Sequence, residues 1–138
     1  MALTPEIEQV LSLIDQAIER KYLRVEHIRR LAGSEEKYRM IIREVDRVKA
    51  QLLYARSDNA AATLTVREWF TILDHFSWKC AYCGEKPFQV MSHVIIRSEG
   101  GTTAENCVPA CHSCISKPNK KVLLPVIKTP LPDQPEQP

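Results

Sequence analysis

Nowhere in these 138 residues does an apolar run approach the roughly 18 that a membrane-crossing helix needs, so no membrane span is expected. The opening Met1-Ala-Leu-Thr-Pro-Glu6 lacks the basic and apolar regions of a secretory signal. A cytoplasmic, reducing setting is therefore expected, in which cysteines close in sequence hold metals rather than form disulfides. No internal repeat is present, which excludes a solenoid. Glycine is scarce: the four are Gly33, Gly84, Gly100 and Gly101, in contexts that read as a helix stop, a knuckle and a turn. What remains is an ordinary globular composition, 44% hydrophobic and 26% charged, in a length suited to one domain or a small domain with an appended element.

The net charge of +2 conceals segregation. Residues 1–19 carry four acids and no base, whereas residues 20–56 carry eleven Lys and Arg against five Asp and Glu. Such an excess suits a polyanionic partner or, equally, a solvated helix face. The same region is helical by pattern. Thr4-Pro5 reads as an N-cap with Pro at the first helical position, and Ile7, Val10, Leu11, Ile14, Ala17 and Ile18 follow at helical spacing, predicting a helix from Pro5 to about Lys21. Val25, Ile28 and Leu31 predict a short second helix that Ala32-Gly33 stops. Ser34 caps a third, from Glu35 to about Ala55, with Tyr38, Ile41, Ile42, Val45, Val48 and Leu52 as its apolar stripe. Residues 57–63 are small and polar and read as the main boundary. Beyond them Thr65-Val-Arg-Glu68 is a capping box, predicting a helix from Val66 to about Phe76 that buries Trp69, Ile72, Leu73 and Phe76. Five of the nine prolines lie past Lys121, so residues 122–138 read as a disordered proline-rich tail.

Two matched pairs, Cys80-Ala-Tyr-Cys83 and Cys111-His-Ser-Cys114, frame the segment after the fourth helix. A Cys-x-x-Cys turn lets two thiolates converge on one tetrahedral zinc ion, and two such turns supply four ligands. Free or redox-active thiols are the alternative. Cys107, the fifth cysteine, reads as a small buried hydrophobe. Between the pairs, Gln89 to Ile96 has the alternation of a strand, Arg97 to Thr103 has turn chemistry, a return strand fits Cys107 to Ala110, and a helix fits Cys111 to Lys117.

In this order the motifs Cys80-Ala-Tyr-Cys83-Gly84, Ser92-His93-Val94-Ile95-Ile96, Gly100-Gly101 and Glu105-Asn106-Cys107-Val-Pro-Ala-Cys111-His-Ser-Cys114-Ile115 resemble the HNH endonuclease family, whose ββα-metal module often sits between two zinc knuckles. The resemblance covers about residues 64–121. It implies that His93 is the general base that activates water against a phosphodiester, that Asn106 braces the loop and orients it, and that a divalent catalytic metal binds at the positions of Ser92 and Ile115. Neither of those side chains is a good ligand for a hard cation, since a neutral hydroxyl replaces a carboxylate and Ile has no donor atom. Asn119, one helical turn beyond Ile115, is a substitute donor if the helix continues past Pro118, and His112 lies one turn before it. The resemblance further implies phosphate contacts from Arg97, Lys117, Lys120 and Lys121.

Arg39, Arg43 and Arg47, spaced i, i+4, i+8 on the third helix, form a second basic stripe for nucleic acid or solvent. Residues 25–45 also resemble a helix-turn-helix. The expected fold is α+β: a mainly helical N-terminal arm over 1–57, a zinc-stapled HNH-like ββα module over 64–121, and the tail. The expected function is DNA binding with phosphodiester cleavage weak or lost. The alternative is a catalytically degenerate module acting as a DNA-binding or protein-interaction adaptor, with the helical arm as a protein-binding surface.

Overall fold

The computed structural model describes residues 5–19, 25–118 and 120–124. The proposed cap Thr4, the substitute donor Asn119 and tail residues 125–138 lie outside the described residues. Helices α1 (Pro5–Glu19), α2 (Val25–Ala32), α3 (Glu35–Ser57) and α4 (Val66–His75) are followed by strand β1 (Val90–His93), the single turn α5 (Arg97–Gly100), strand β2 (Cys107–Ala110) and the short α6 (His112–Ile115). The molecule is mixed helix and a small sheet, an α+β arrangement. No described helix is long and apolar enough to cross a membrane.

Local chemistry places the helix ends. Gly33 takes φ +90 after α2, a conformation open to glycine without strain, and the Ser34 side chain accepts a hydrogen bond from the Lys37 N–H to start α3. At α4 the capping box closes both ways: Thr65 Oγ1 accepts from the Glu68 N–H and Glu68 Oε1 accepts from the Thr65 N–H. The two N–H groups between them, on Val66 and Arg67, donate to the Asp15 carboxylate of α1 at 2.9 and 3.1 Å. Asp15 is an interhelical cap that its spacing in sequence does not betray.

The apolar stripes converge on one core. Ile7, Val10, Leu11 and Ile14 of α1, Ile28 of α2, Ile41, Val45 and Val48 of α3 and Trp69, Phe70, Ile72 and Leu73 of α4 are buried in a single cluster. That cluster continues into Met91, Ala104, Cys107 and Val108 of the segment beyond, so the 57–63 connector joins elements that share a core. The connector is also hydrogen-bonded to the far loop, with the Thr102 carbonyl accepting from Thr63 and Leu64 and the Thr102 N–H donating to Ala61. A buried charge sits between α3 and α4. Glu44 is fully buried, paired with Arg47 at 2.8 Å and accepting the Trp69 indole N–H at 3.0 Å.

β1 and β2 are antiparallel, with Val90 opposite Ala110, Met91 opposite Pro109, Ser92 opposite Val108 and His93 opposite Cys107. The first strand is shorter than the expected 89–96. The Val94 N–H still reaches the in-register Asn106 carbonyl, but the Asn106 N–H turns to the Thr103 carbonyl and the Ile95 N–H goes to the Asn106 side-chain oxygen, so the ladder does not continue. Residues 94–96 therefore leave the sheet and are exposed. The expected turn over 97–103 contains α5, which Gly101 ends at φ +75. The last helix, expected to reach Lys117, stops at Ile115, three residues before Pro118.

Candidate functional site

The chain enters the site through an abrupt helix end. After α4, Ser77 and Trp78 both adopt positive φ, with the Trp78 N–H returning to the Leu73 carbonyl, and Trp78 is held edge-on to Phe70 with ring centroids 5.6 Å apart. This reversal delivers Cys80 to the first knuckle. There the Gly84 N–H donates to the Cys80 carbonyl, the Tyr82 N–H points at the Cys80 sulfur at 3.4 Å, and Gly84 takes φ +69. The Ala81 N–H bonds the Pro109 carbonyl, docking the knuckle on β2. The second pair spans the start of α6, with Cys111 as its N-cap residue and the Cys114 N–H donating to the Cys111 carbonyl.

The sulfurs of Cys80, Cys83, Cys111 and Cys114 all lie within 4.8 Å of one another. A tetrahedral zinc with bonds of about 2.3 Å places its sulfurs about 3.8 Å apart, so modest contraction suffices and the four cysteines can bind zinc. The thiols are prepared unequally. Backbone N–H groups of Lys86 and Glu85 pull Cys83 down to about 6, favouring the thiolate that a metal needs. Cys111 is also lowered: burial opposes ionisation, and hydrogen bonds from the Cys114 backbone and from neighbouring thiols overcome it. Cys114 is pushed up to about 12 by burial and by the three sulfurs around it. Cys107 stands apart from the four. It is fully buried, its thiol pushed up to about 12 by burial, consistent with a packing role.

Asn106 clamps the hairpin tip. Its side-chain oxygen accepts from Ile95 N–H at 2.7 Å, and its amide nitrogen donates to the carbonyls of Ile95 and Gly101, each at 2.8 Å. The two glycines permit the closeness: a Cβ on Gly100 would lie 2.6 Å from the Asn106 amide nitrogen, and one on Gly101 would lie 2.5 Å from the Ala61 carbonyl oxygen. His93 closes β1 across the strand pair from Cys107, and its Nε2 lies 3.0 Å from Thr102 Oγ1. Burial, with a smaller contribution from the Arg97 charge, holds the imidazole below its ordinary pKa.

No family model, curated protein or solved structure matches the chain. The chemistry of the site must therefore be read from its own residues. At the positions where the HNH resemblance puts a catalytic metal, the Ser92 hydroxyl is hydrogen-bonded to the Tyr82 hydroxyl at 3.0 Å, and Ile115 presents an apolar side chain. Among the described residues, the four cysteines are the one group of three or more His, Cys, Asp or Glu side chains close enough to hold a metal. The donor set at Ser92 and Ile115 does not fit a hard divalent cation, which takes several oxygen ligands. Lys120 is near this corner, with its ammonium 5.6 Å from the Tyr82 ring centre and 3.3 Å from the Ile115 carbonyl oxygen.

The basic residues divide. Arg47 is consumed inside the molecule: it pairs with Glu44, donates to the Gln89 carbonyl and covers the Phe88 ring. Arg97 bonds Asp58 and Gln51 and lies over Tyr54. Arg39, Arg43, Lys117, Lys120 and Lys121 are exposed, although Arg43 also approaches Glu44 at 3.5 Å. Two residues separate α2 from α3, shorter than the three or four of a helix-turn-helix. The partners Tyr82, Thr102 and Gln51 carried no motif signal. Only placement makes them candidates: Tyr82 bonds Ser92, Thr102 bonds His93, and Gln51 bonds Thr102.

Proposed function

We propose that this chain is an HNH-like nucleic-acid-binding protein in which structural zinc on Cys80, Cys83, Cys111 and Cys114 pins a ββα hairpin for contact with DNA, and in which phosphodiester cleavage is weak or lost. The observation that carries the reading is the Asn106 clamp, which ties residues 95 and 101 together beside His93 and between the two cysteine pairs. A neutral imidazole with a pKa below its ordinary value stays in the proton-accepting form at neutral pH, as a water-activating base requires. Exposed Lys117, Lys120 and Lys121 beside α6 supply phosphate contacts of the salt-sensitive, sequence-independent kind. The metal that would stabilise the leaving oxyanion has no matching ligand set, and its loss costs roughly several kcal/mol of barrier lowering.

A protein-interaction role for the same hairpin is favoured by one observation. Val94, Ile95 and Ile96 are successive and exposed at 48%, 55% and 62%. The two readings separate in a titration of duplex DNA against salt, monitored by fluorescence anisotropy. Binding that weakens steeply as salt rises, and weakens again in a Lys117, Lys120 and Lys121 to Ala triple variant, supports DNA contact; the absence of binding at low salt sinks it. Plasmid nicking with Mg²⁺ or Mn²⁺ addresses cleavage. The expected result is little nicking by the native chain and a gain on combining Ser92→Asp with Ile115→Asn. Efficient native nicking that His93→Ala abolishes would show that the ligand losses do not disable the site.

A further inference from the structure

Thr102 is fully buried, and its hydroxyl is engaged on two sides. Its Oγ1 donates to the main-chain carbonyl of Gln51 on α3 at 3.2 Å and lies 3.0 Å from His93 Nε2. A carbonyl oxygen can only accept, and a hydroxyl has one hydrogen. With that hydrogen directed at Gln51, Oγ1 faces Nε2 with a lone pair, so Nε2 must be the donor. We infer that Thr102 is a positioning residue that holds His93 as the Nε2–H tautomer and leaves Nδ1 as the ring's open lone pair. Among the described residues, no hydrogen bond to Nδ1 accompanies this arrangement.

The function of this device rests on the reading of His93 as base. In hydrolysis a water O–H bond breaks as its proton moves to Nδ1, the water oxygen forms the new P–O bond, and the P–O bond to the leaving sugar oxygen breaks. That oxygen takes a proton from solvent. The imidazolium so formed keeps its Nε2–H on Thr102, so the ring need not rotate between states. Because Gln51 belongs to α3, the helical arm takes part in orienting the base, and the arm is more than a tether.

The test is the tautomer itself, read by long-range ¹H–¹⁵N correlation on the zinc-loaded, ¹⁵N-labelled full chain at neutral pH, with His93 assigned by signal loss in His93→Gln. Expected are a pyrrole-type Nε2 and a pyridine-type Nδ1 in the native chain, loss of that exclusive pattern in Thr102→Val, and its return in Thr102→Ser. A native His93 protonated on Nδ1, or an unchanged pattern in folded Thr102→Val, overturns the inference. Should Thr102→Val fail to fold, the native spectrum decides alone. Wherever nicking is measurable, kcat should drop about tenfold or more in Thr102→Val and recover in Thr102→Ser; an unchanged kcat overturns the positioning role. Complete inactivity with the expected tautomer pattern supports the Thr102 assignment and removes only the hydrolytic reading.

Discussion

Asn106 shows how much one buried amide can organise. Its three hydrogen bonds all end on backbone groups of the hairpin tip, where the exposed apolar residues 94–96 offer little packing in exchange. Asn106→Ala leaves the buried Gly101 carbonyl and the partly buried Ile95 N–H and carbonyl without these partners, and should cost about 2 kcal/mol. Urea unfolding measures the loss, and hydrogen exchange should show faster amides at residues 94–101 well below the global transition. Cys107 makes a contrasting prediction. Its burial and raised pKa should keep it unmodified by an alkylating reagent after chelation exposes the other four thiols, and label should reach it only in denaturant. Mass spectrometry that finds Cys107 labelled as early as Cys83 would contradict the packing assignment.

At the scale of elements, α4 is held at its start by a carboxylate from another helix. Burial raises the Asp15 pKa more than the two backbone N–H donors lower it. Protons therefore bind more tightly to the folded state, so this group's contribution to stability falls as pH rises from the usual carboxylate value through the raised one, then levels off. Asp15→Asn keeps one acceptor for α4 and removes the titration. The native-minus-Asp15→Asn difference in urea midpoint should therefore shift against the native chain across that acid window, and a flat difference would contradict the burial effect. Between α3 and α4, Arg47→Met leaves the buried Glu44 carboxylate with only the exposed Arg43 at 3.5 Å and the Trp69 N–H, and should destabilise by about 2–3 kcal/mol. Adding Glu44→Gln should recover part of this, since a neutral amide still accepts from Trp69 without needing a cation.

For the whole molecule, helices and hairpin share a core, and the four-cysteine cluster lies at the hairpin's far end. Trp69 and Phe70 of α4 are buried in the cluster that holds α1 and α3, so a fragment beginning at residue 64 would expose this apolar face. Such a fragment should fail to give a cooperative thermal transition even with zinc, whereas the full chain should give one. Chelation acts on the other end. Removing zinc should lower the melting temperature and release the 80–84 and 111–114 knuckles first, with α1–α4 retaining much of their helical circular dichroism.

Periodicity and caps in the chain were enough to locate α1–α4, because each carries an apolar stripe, α1 and α3 over several turns, and because Gly33, Ser34 and Thr65 bound α2, α3 and α4 with one clear backbone preference each. The cysteine pairs likewise announced by spacing alone that their four sulfurs converge closely enough to bind a metal. Short elements were less legible, since the ends of β1 and α6 depend on where Asn106 and Pro118 redirect the backbone. The fates of Arg47 and Arg97, the Asp15 cap and the Thr102 contact with His93 were not readable at all. Each joins residues about 40 or more positions apart or turns on the direction of a single hydroxyl, and only the tertiary structure brings those groups within hydrogen-bond distance.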